Sequence, residues 1–306
     1  MRFSVVVPVR DDPRVDGLLA SLDAQGDAPD FEVLVAMDGS RREPRVPARL
    51  PARLLRLPPR GPYPARNAAV REAKGEVLLF TDSDCLCPSD WLATAARFFE
   101  DETVVAVQGS SRASEESRLS RLIQLEYDRY VASHAAAGYR HFCNTRNFAI
   151  RSAIARELPL PEVFPRGGDA VYGWLLEGRA ISIRYEPSWW VAHCHPASRW
   201  DEGRRAFAQG KNGALWSREL GLDLFGSHAD DSRRRGPGAG LLSLTRGRPV
   251  ARRAAALALL PSVTLFAALS AVLPGQAGAG AFGRFRRAAH LAGRLSAEDQ
   301  PMKEKP

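Results

Sequence analysis

Three short apolar runs, each followed by an acidic loop, constrain the fold of this chain more than any other feature. The runs cover residues 2–9, 31–37 and 76–80, and the loops cover residues 8–12, 38–40 and 81–84. Runs of Val, Leu and Phe that stop at Pro, Gly or Asp are typical of buried strands. Helical periodicity over residues 16–24 and 65–73 lies between them. This order predicts an α/β fold with a mainly parallel, right-handed sheet and helices on its faces.

The carboxyl ends of the predicted strands carry acidic side chains, of which Asp82 and Asp84 are closely spaced. Residues i and i+2 of an extended chain point to the same side. In such sheets ligands bind beyond the carboxyl ends of the strands. Carboxylate oxygens suit Mg²⁺ or Mn²⁺, which share their remaining positions with water and substrate phosphates. The pattern predicts a cation site, and an ordinary Asp-x-Asp turn at a strand end is the alternative.

Two further side chains are predicted at the same edge. Arg66 opens the helix over residues 65–73, so its guanidinium and the helix amides are placed to approach a diphosphate. Asp38 ends the second run and is able to accept hydrogen bonds from a base or ribose. The alternatives are a surface arginine and a turn-forming aspartate.

These stretches together resemble a known family. They are SVVVP at residues 4–8, EVLVAMDGS at 32–40, ARN at 65–67, and FTDSD at 80–84 followed by Trp91 and Leu92. In order and spacing they resemble the family 2 glycosyltransferases with the GT-A (Rossmann-like) fold. The stretch NTRNFAIR at residues 144–151 resembles the family's segment ahead of the acceptor site, and the resemblance covers roughly residues 3–215.

The resemblance implies a metal-dependent, inverting transfer of a sugar from a nucleotide-diphosphate donor. By matching position it implies that Pro8 and Asp38 lie at the nucleotide base, and that Arg66 and Asp82 lie near the nucleotide sugar and diphosphate. It implies Asp84 as a ligand of Mg²⁺ or Mn²⁺. A divalent cation there would offset the charge that develops on the leaving nucleoside diphosphate.

An inverting transfer also needs a general base for the acceptor hydroxyl. The stretch RGGDAVYGW at residues 166–174 matches the family's segment for this base, and it implies Asp169. A helix N-cap is the alternative role for this aspartate. The stretch departs from the family pattern, because Gly168 replaces an acid and Leu175 replaces an arginine. These departures put the acceptor geometry in question.

A second set of ligands is predicted near residue 193. His193 and His195 project to one face of a strand, and Val191-Ala-His193 fits best the histidine with which the family joins the metal or diphosphate. A zinc site with Cys85 and Cys87 is not expected, because the Cys-x-Cys spacing is too tight for a structural knuckle. We expect both cysteines to be packing residues and the four cysteines of the chain to form no disulfide framework.

The C-terminal part of the chain differs in charge and hydropathy. From residue 197 onward there are 18 Lys and Arg against 9 Asp and Glu, whereas the rest has 25 against 26. Residues 254–274 carry no charge, are flanked by arginines and are long enough to cross a bilayer. A span, an interfacial or re-entrant helix pair, and a soluble helix are the open alternatives. The basic surface indicates an anionic partner, or else a solvated arginine-rich face.

The predicted organisation follows from these features. We expect a glycosyltransferase domain over residues 1–220, a linker over 221–250 and a hydrophobic, basic helical region over 251–306. The first residues, MRFSVVVPVR, lack a secretory signal, so we expect the catalytic domain at the cytoplasmic face of the membrane or in the cytoplasm. The expected partners are a nucleotide-sugar donor, a cell-envelope or lipid-linked acceptor and a membrane surface, with no nucleic acid.

Two other functions are alternatives to glycosyl transfer. A sugar nucleotidyltransferase shares the sheet and the acidic loop, but it requires a glycine-rich, basic loop after the first strand. This chain has Val9-Arg-Asp-Asp-Pro13 there, which disfavours that function. A non-catalytic protein that binds a sugar nucleotide is the other alternative, and the altered stretch around Gly168 favours it.

Overall fold

A computed structural model describes residues 2–220 and 249–297. By its internal contacts the chain divides into two compact units, Met1–His195 and Pro196–Pro306. Residues 221–248 of the predicted linker lie outside the described residues. The domain limits predicted from the sequence stay predictions.

The first unit is built on one eight-stranded sheet. Its strands are β1 Phe3–Val9, β2 Phe31–Asp38, β3 Ala52–Leu57, β4 Val77–Thr81, β5 Cys85–Leu86, β6 Ala106–Ala113, β7 Asn147–Arg151 and β8 Ile183–His193. Their spatial order is β3-β2-β1-β4-β7-β6-β8-β5. The four strands from β3 to β4 run parallel, whereas β7 is antiparallel to both of its neighbours. The α/β sheet was predicted correctly, and its parallel part is the half that carries the acidic loops.

Helices cover both faces of this sheet. They are α1 Val15–Asp23, α2 Pro62–Glu72, α3 Trp91–Phe99, α4 Arg118–Ala132, α5 Ser152–Glu157 and α6 Gly168–Glu177. Alternate residues of β1 and β2 join opposite layers: Val5 and Val33 pack with α1 and α3, and Val6 and Leu34 pack with α2 and α6. Burial on both faces explains why these strands read as nearly continuous apolar runs.

Two local predictions need correction. The apolar and aromatic runs at residues 181–185 and 189–193 predict two separate strands, but β8 is continuous from Ile183 to His193 through Pro187. An irregularity absorbs the proline, because Gly109 pairs with Glu186 and the next residue, Ser110, pairs with Trp190. The second helix begins at Pro62 rather than residue 65, since proline is well suited to the first helical turn.

Gly75 has a packing role in the connection between α2 and β4. It lies three residues after Glu72, the last residue of α2, and beyond the cap at Ala73, so it does not end the helix. A Cβ atom at this position would lie 2.5 Å from the Ser4 backbone nitrogen. The absence of a side chain therefore lets the connection to β4 pass directly against β1.

The second unit is helical where it is described. Its helices are α7 Arg199–Leu220, α8 Pro249–Ala258, α9 Leu260–Val272 and α10 Gly275–Ser296. Arg286 of α10 pairs with the buried Glu202 of α7 at 2.7 Å. Residues Ala254–Val272 have a mean hydropathy of 2.1 and are long and apolar enough to cross a membrane. The predicted helical C-terminal extension is confirmed.

Candidate active site

The predicted metal ligands Asp84 and His193 lie side by side. β5, which begins directly after Asp84, pairs with the end of β8 so that Cys85 is the register partner of His193. The backbone N–H of Cys194 donates to the Asp84 carbonyl at 2.9 Å, which ties the two segments together. As a result, Asp84 Oδ2 is 3.4 Å from His193 Nε2. His195 extends the group, with its Nδ1 3.3 Å from the Nδ1 of His193.

Positive groups keep the Asp84 carboxyl ionised. Burial by itself would raise the pKa of Asp84, but the contact with His193 and its charge outweigh burial, and Arg146 and Arg14 lower the pKa further. The pKa of Asp84 therefore lies well below its usual value. Arg14 Nη2 is 3.6 Å from Asp84 Oδ2 and is also held by Asp12 at 2.8 Å. Asp84 is thus a buried carboxylate that is ionised at physiological pH.

The Asp84 and His193 pair fits a divalent cation that uses few protein ligands. No group of three or more His, Cys, Asp or Glu side chains able to hold a metal occurs in residues 2–220 and 249–297. Mg²⁺ and Mn²⁺ need fewer, because water and substrate phosphates complete their shells. Two adjacent ligand atoms that each lie about 2.1 Å from an octahedral ion are about 3.0 Å from each other. The corresponding distance between Asp84 Oδ2 and His193 Nε2 is 3.4 Å.

Arg66 and Asp82 form an ion pair beside this site. Arg66 lies in the first turns of α2 and is buried, whereas about a third of the Asp82 side chain is exposed. The Arg66 guanidinium donates to the Asp82 carboxylate and lies 5.5 Å from the ring centroid of Tyr63. The two residues predicted near a diphosphate are therefore in direct contact.

Asp38 is held by backbone amides. Its Oδ1 accepts hydrogen bonds from the backbone N–H groups of Arg60 at 2.7 Å and Gly61 at 2.9 Å. These bonds connect the end of β2 to the start of α2. Pro8 lies on the adjoining strand, paired in register with Ala36. Pro8 and Asp38 thus share the predicted edge, and Asp38 also has a structural role there.

Asp169 lies in the first turn of α6, and its side chain does not cap the helix. The N-cap position is Gly167, whose φ of 70° is in the left-handed region. Asp169 Oδ1 accepts a hydrogen bond from the Tyr63 hydroxyl at 3.1 Å, and Oδ2 accepts one from the Thr145 backbone N–H at 3.3 Å. Burial raises the pKa of Asp169, and the Asp82 charge adds to it, against the lowering effects of Arg66 and Tyr63. A carboxylate with a raised pKa is suited to accept a proton.

The two cysteines that follow Asp84, and Trp189 of β8, are packing residues of the core. Burial raises the pKa of the Cys85 and Cys87 thiols, which are free and lie in the core, as the sequence indicated. Trp189 stacks on Trp91 with ring centroids 5.4 Å apart and is buried. Its indole N–H donates to the Trp91 carbonyl at 3.0 Å. Trp189 is therefore a core residue.

The site contains residues that the sequence reasoning missed. Tyr63 and the Thr145 backbone contact Asp169, and Arg14 and Arg146 surround Asp84. Two of them lay beside recognised stretches, since Tyr63 nearly adjoins the ARN segment and Arg146 is inside NTRNFAIR. Arg14 had no such signal.

The family can be assigned from this chain's similarity to others. A family model for glycosyl transferase family 2 matches residues 4–158, just over half of the chain. The chain belongs to glycosyltransferase family 2. This family 2 enzyme is thus a glycosyltransferase, as the resemblance predicted.

Two curated relatives match part of this glycosyltransferase. An uncharacterized glycosyltransferase of Bacillus subtilis, YfnE, is 30% identical over 141 residues, which are 44% of this chain and 34% of YfnE. The poly(ribitol-phosphate) beta-N-acetylglucosaminyltransferase TarS of Staphylococcus aureus is 35% identical over 111 residues, 33% of this chain and 19% of TarS. The matches thus span about a third and about a fifth of these relatives' own length.

Two solved structures are similar over nearly the whole chain. The mannosyltransferase PcManGT from Pyrobaculum calidifontis, in complex with GDP-Man and Mn²⁺, has a TM-score of 0.58 at 19% identity and covers 96% of this chain and 86% of its own. Residues 1–349 of S. aureus TarS, in complex with UDP-GlcNAc, have a TM-score of 0.53 at 18% identity and cover 94% and 90%. These likenesses confirm the predicted GT-A fold.

Proposed function

We propose that this family 2 glycosyltransferase moves a sugar from a nucleotide-diphosphate donor to an acceptor hydroxyl, with inversion and with Mg²⁺ or Mn²⁺. The observation that carries this proposal is the pairing of the ionised Asp84 with His193 at 3.4 Å, at the sheet edge where the acidic loops meet. The donors and the ion named for PcManGT and TarS support it, since those proteins share this fold.

Six of the site residues are proposed to bind the nucleotide-sugar donor and its cation. Asp84 and His193 would hold the cation, which when bound supplies positive charge to the leaving nucleoside diphosphate. Arg66 presents a fixed guanidinium to the same diphosphate, and its ion pair with Asp82 keeps it oriented. Pro8 and Asp38 border the space proposed for the base and ribose.

Asp169 is proposed to take the proton of the acceptor hydroxyl as the new glycosidic bond forms. Asp169 is a half-buried residue, and its carboxylate is oriented by the Tyr63 hydroxyl and the Thr145 backbone N–H. Its raised pKa increases its affinity for that proton. Because the acceptor attacks opposite the leaving diphosphate, a base on the acceptor side suits an inverting transfer.

The test is metal-dependent turnover across a donor panel. The full chain is assayed for nucleoside diphosphate release from UDP-GlcNAc, GDP-mannose and other sugar nucleotides, with Mn²⁺ and with EDTA. We expect release from at least one donor, lost with EDTA, and a loss of 100-fold or more in Asp169→Asn with donor binding retained. Donor binding without metal-dependent turnover for any acceptor would favour the non-catalytic alternative.

We further propose that the enzyme works at the cytoplasmic face of the cell membrane on a lipid-linked or cell-envelope acceptor. Leu257, Leu265 and Val272 of the apolar segment are 65%, 56% and 73% exposed. Exposed apolar side chains at this density on a helix are typical of a membrane-contacting surface. Basic residues flank the segment on both sides, which favours anionic headgroups.

A further inference from the structure

Tyr63 joins the donor side of the site to the proposed base. Its side chain is 4% exposed, and its hydroxyl donates to Asp169 Oδ1 at 3.1 Å. Arg66, three residues later on α2, lies over the Tyr63 ring at 5.5 Å and pairs with Asp82. Residues i and i+3 of a helix share a face, so α2 presents both side chains toward the same site.

Gly168 provides the space that the Tyr63 ring occupies. A Cβ atom at residue 168 would lie 3.0 Å from the ring carbon Cε2 of Tyr63 and 3.0 Å from the Pro161 carbonyl oxygen. Such contacts are tighter than ordinary van der Waals separation. A larger side chain at residue 168 would therefore push the Tyr63 ring, and with it the hydroxyl, away from Asp169.

We propose that Tyr63 is a positioning residue for Asp169, and that Gly168 is the residue that makes room for it. This inference rests on the proposed role of Asp169 as the base. The inference explains why glycine stands at residue 168, where the family pattern has an acid. The Tyr63 ring occupies the space that a side chain at residue 168 would need, and the Tyr63 hydroxyl orients the carboxylate of Asp169. The site keeps a polar neighbour for its base, now supplied from the donor side.

The Tyr63 hydrogen bond also affects the charge on Asp169. A hydroxyl donor stabilises the carboxylate relative to the carboxylic acid. Arg66 lowers the pKa of Asp169 and the Asp82 charge raises it. Asp169 also acts on Tyr127, Tyr130 and Cys143, which are neutral at physiological pH because burial raises their pKa values further above it. Loss of this neutral hydroxyl should therefore raise the pKa of Asp169, because the carboxylate loses a hydrogen-bond donor while no charge is removed.

The titration of Asp169 tests this directly and needs no substrate. Full-length protein labelled with ¹³C at aspartate carboxyls is titrated by NMR as wild type, Tyr63→Phe and Tyr172→Phe, and Asp169→Asn assigns the signal. A hydrogen bond to a charged group is worth about 1.5 kcal/mol, so Tyr63→Phe should move the midpoint up by about one pH unit. Tyr172, a buried tyrosine of the same helix as Asp169 that packs edge-on against Phe148, is the matched control and should leave it unchanged.

Turnover assays with Mn²⁺ and a donor that the enzyme uses distinguish the positioning role of Tyr63 from the proposed role of Asp169 as the base. Tyr63→Phe should lower kcat, keep the donor KM, and shift the acidic limb of the pH profile upward with the NMR midpoint. An unchanged Asp169 titration in Tyr63→Phe, or an equal shift in Tyr172→Phe, would overturn the positioning role. An inactive Asp169→Asn variant would in that case still support Asp169 as the base. Wild-type turnover in Asp169→Asn would instead overturn the proposed function.

Discussion

The carboxylate of Asp84 lies 3.4 Å from the imidazole of His193 because the two-residue strand β5 pairs with the end of β8. Asp84 follows β4, the last strand of the parallel half of the sheet. His193 ends β8, which lies in the other half, beside the edge strand β5. The contact places an imidazole beside the carboxylates of the acidic edge. The site is thus assembled from both halves of the sheet, and the proposed metal binding should depend on each.

His193→Ala should weaken Mn²⁺ binding more than His195→Ala does. His193 faces Asp84, whereas His195 contacts the ring of His193 and Gln124. Removal of a residue that only orients a ligand typically costs 10–100-fold in metal affinity, and removal of the ligand should cost more. Mn²⁺ titration followed by electron paramagnetic resonance measures both, with circular dichroism as the check on folding. A larger loss in His195→Ala would contradict the assignment of His193.

The pH profile of turnover should have an acidic limb that belongs to Asp169. Burial, followed by the Asp82 charge, raises the pKa of this carboxyl above its usual 3.8, even though Arg66 and Tyr63 oppose the rise. As the pH falls through that raised pKa, the base becomes protonated and kcat/KM should fall tenfold per pH unit. The residual activity of Asp169→Asn should lack this limb. The same limb in the variant would assign it to another group.

Asp38→Ala should destabilise the first unit, whereas Asp38→Asn should do so less. The alanine leaves the backbone N–H groups of Arg60 and Gly61 without the carboxylate that accepts from both. The cost of such unsatisfied donors is about 1–3 kcal/mol, and an asparagine keeps one acceptor oxygen. Urea unfolding of the three proteins measures the difference. Equal midpoints for alanine and wild type would show that these bonds contribute nothing.

Leu257→Glu combined with Leu265→Glu should release the protein from lipid vesicles. Both leucines are more than half exposed, so the charges should not disturb folding. Each buried leucine contributes about 1.5–3 kcal/mol to membrane contact. Flotation with vesicles that contain phosphatidylglycerol measures binding, and Val163→Glu, an exposed apolar position of the first unit, is the control. Wild-type protein that does not float would contradict the proposed membrane contact.

The predictable part of the structure is the part that local signals determine. β1, β2 and β4 read as strands because both of their faces are buried, and parallel pairing alone then brings Asp38 and Asp82 to one edge. Arg66 followed from its place at a helix start, and its contact with Asp82 agrees with that expectation.

The part that could not be predicted depends on pairings between distant segments. Nothing near Asp84 indicates that Cys85 pairs with His193, and nothing near Asp169 indicates a hydroxyl from α2. Arg14 reaches Asp84 from the loop after β1, through a fold that the chain must first form. The continuity of β8 has a different, local cause of error: Pro187 indicates a break, and the pairing with β6 overrides it.

Calorimetric titration of donor into Asp84→Asn tests the central claim most directly. UDP-GlcNAc and GDP-mannose are titrated into wild type, Asp84→Asn and the exposed control Asp90→Asn, with Mn²⁺ and with EDTA. Wild type and Asp90→Asn should bind at least one donor more tightly with Mn²⁺, and Asp84→Asn should lose that gain by tenfold or more. Equal Mn²⁺-dependent affinity in wild type and Asp84→Asn would contradict a cation-assisted donor site at this carboxylate.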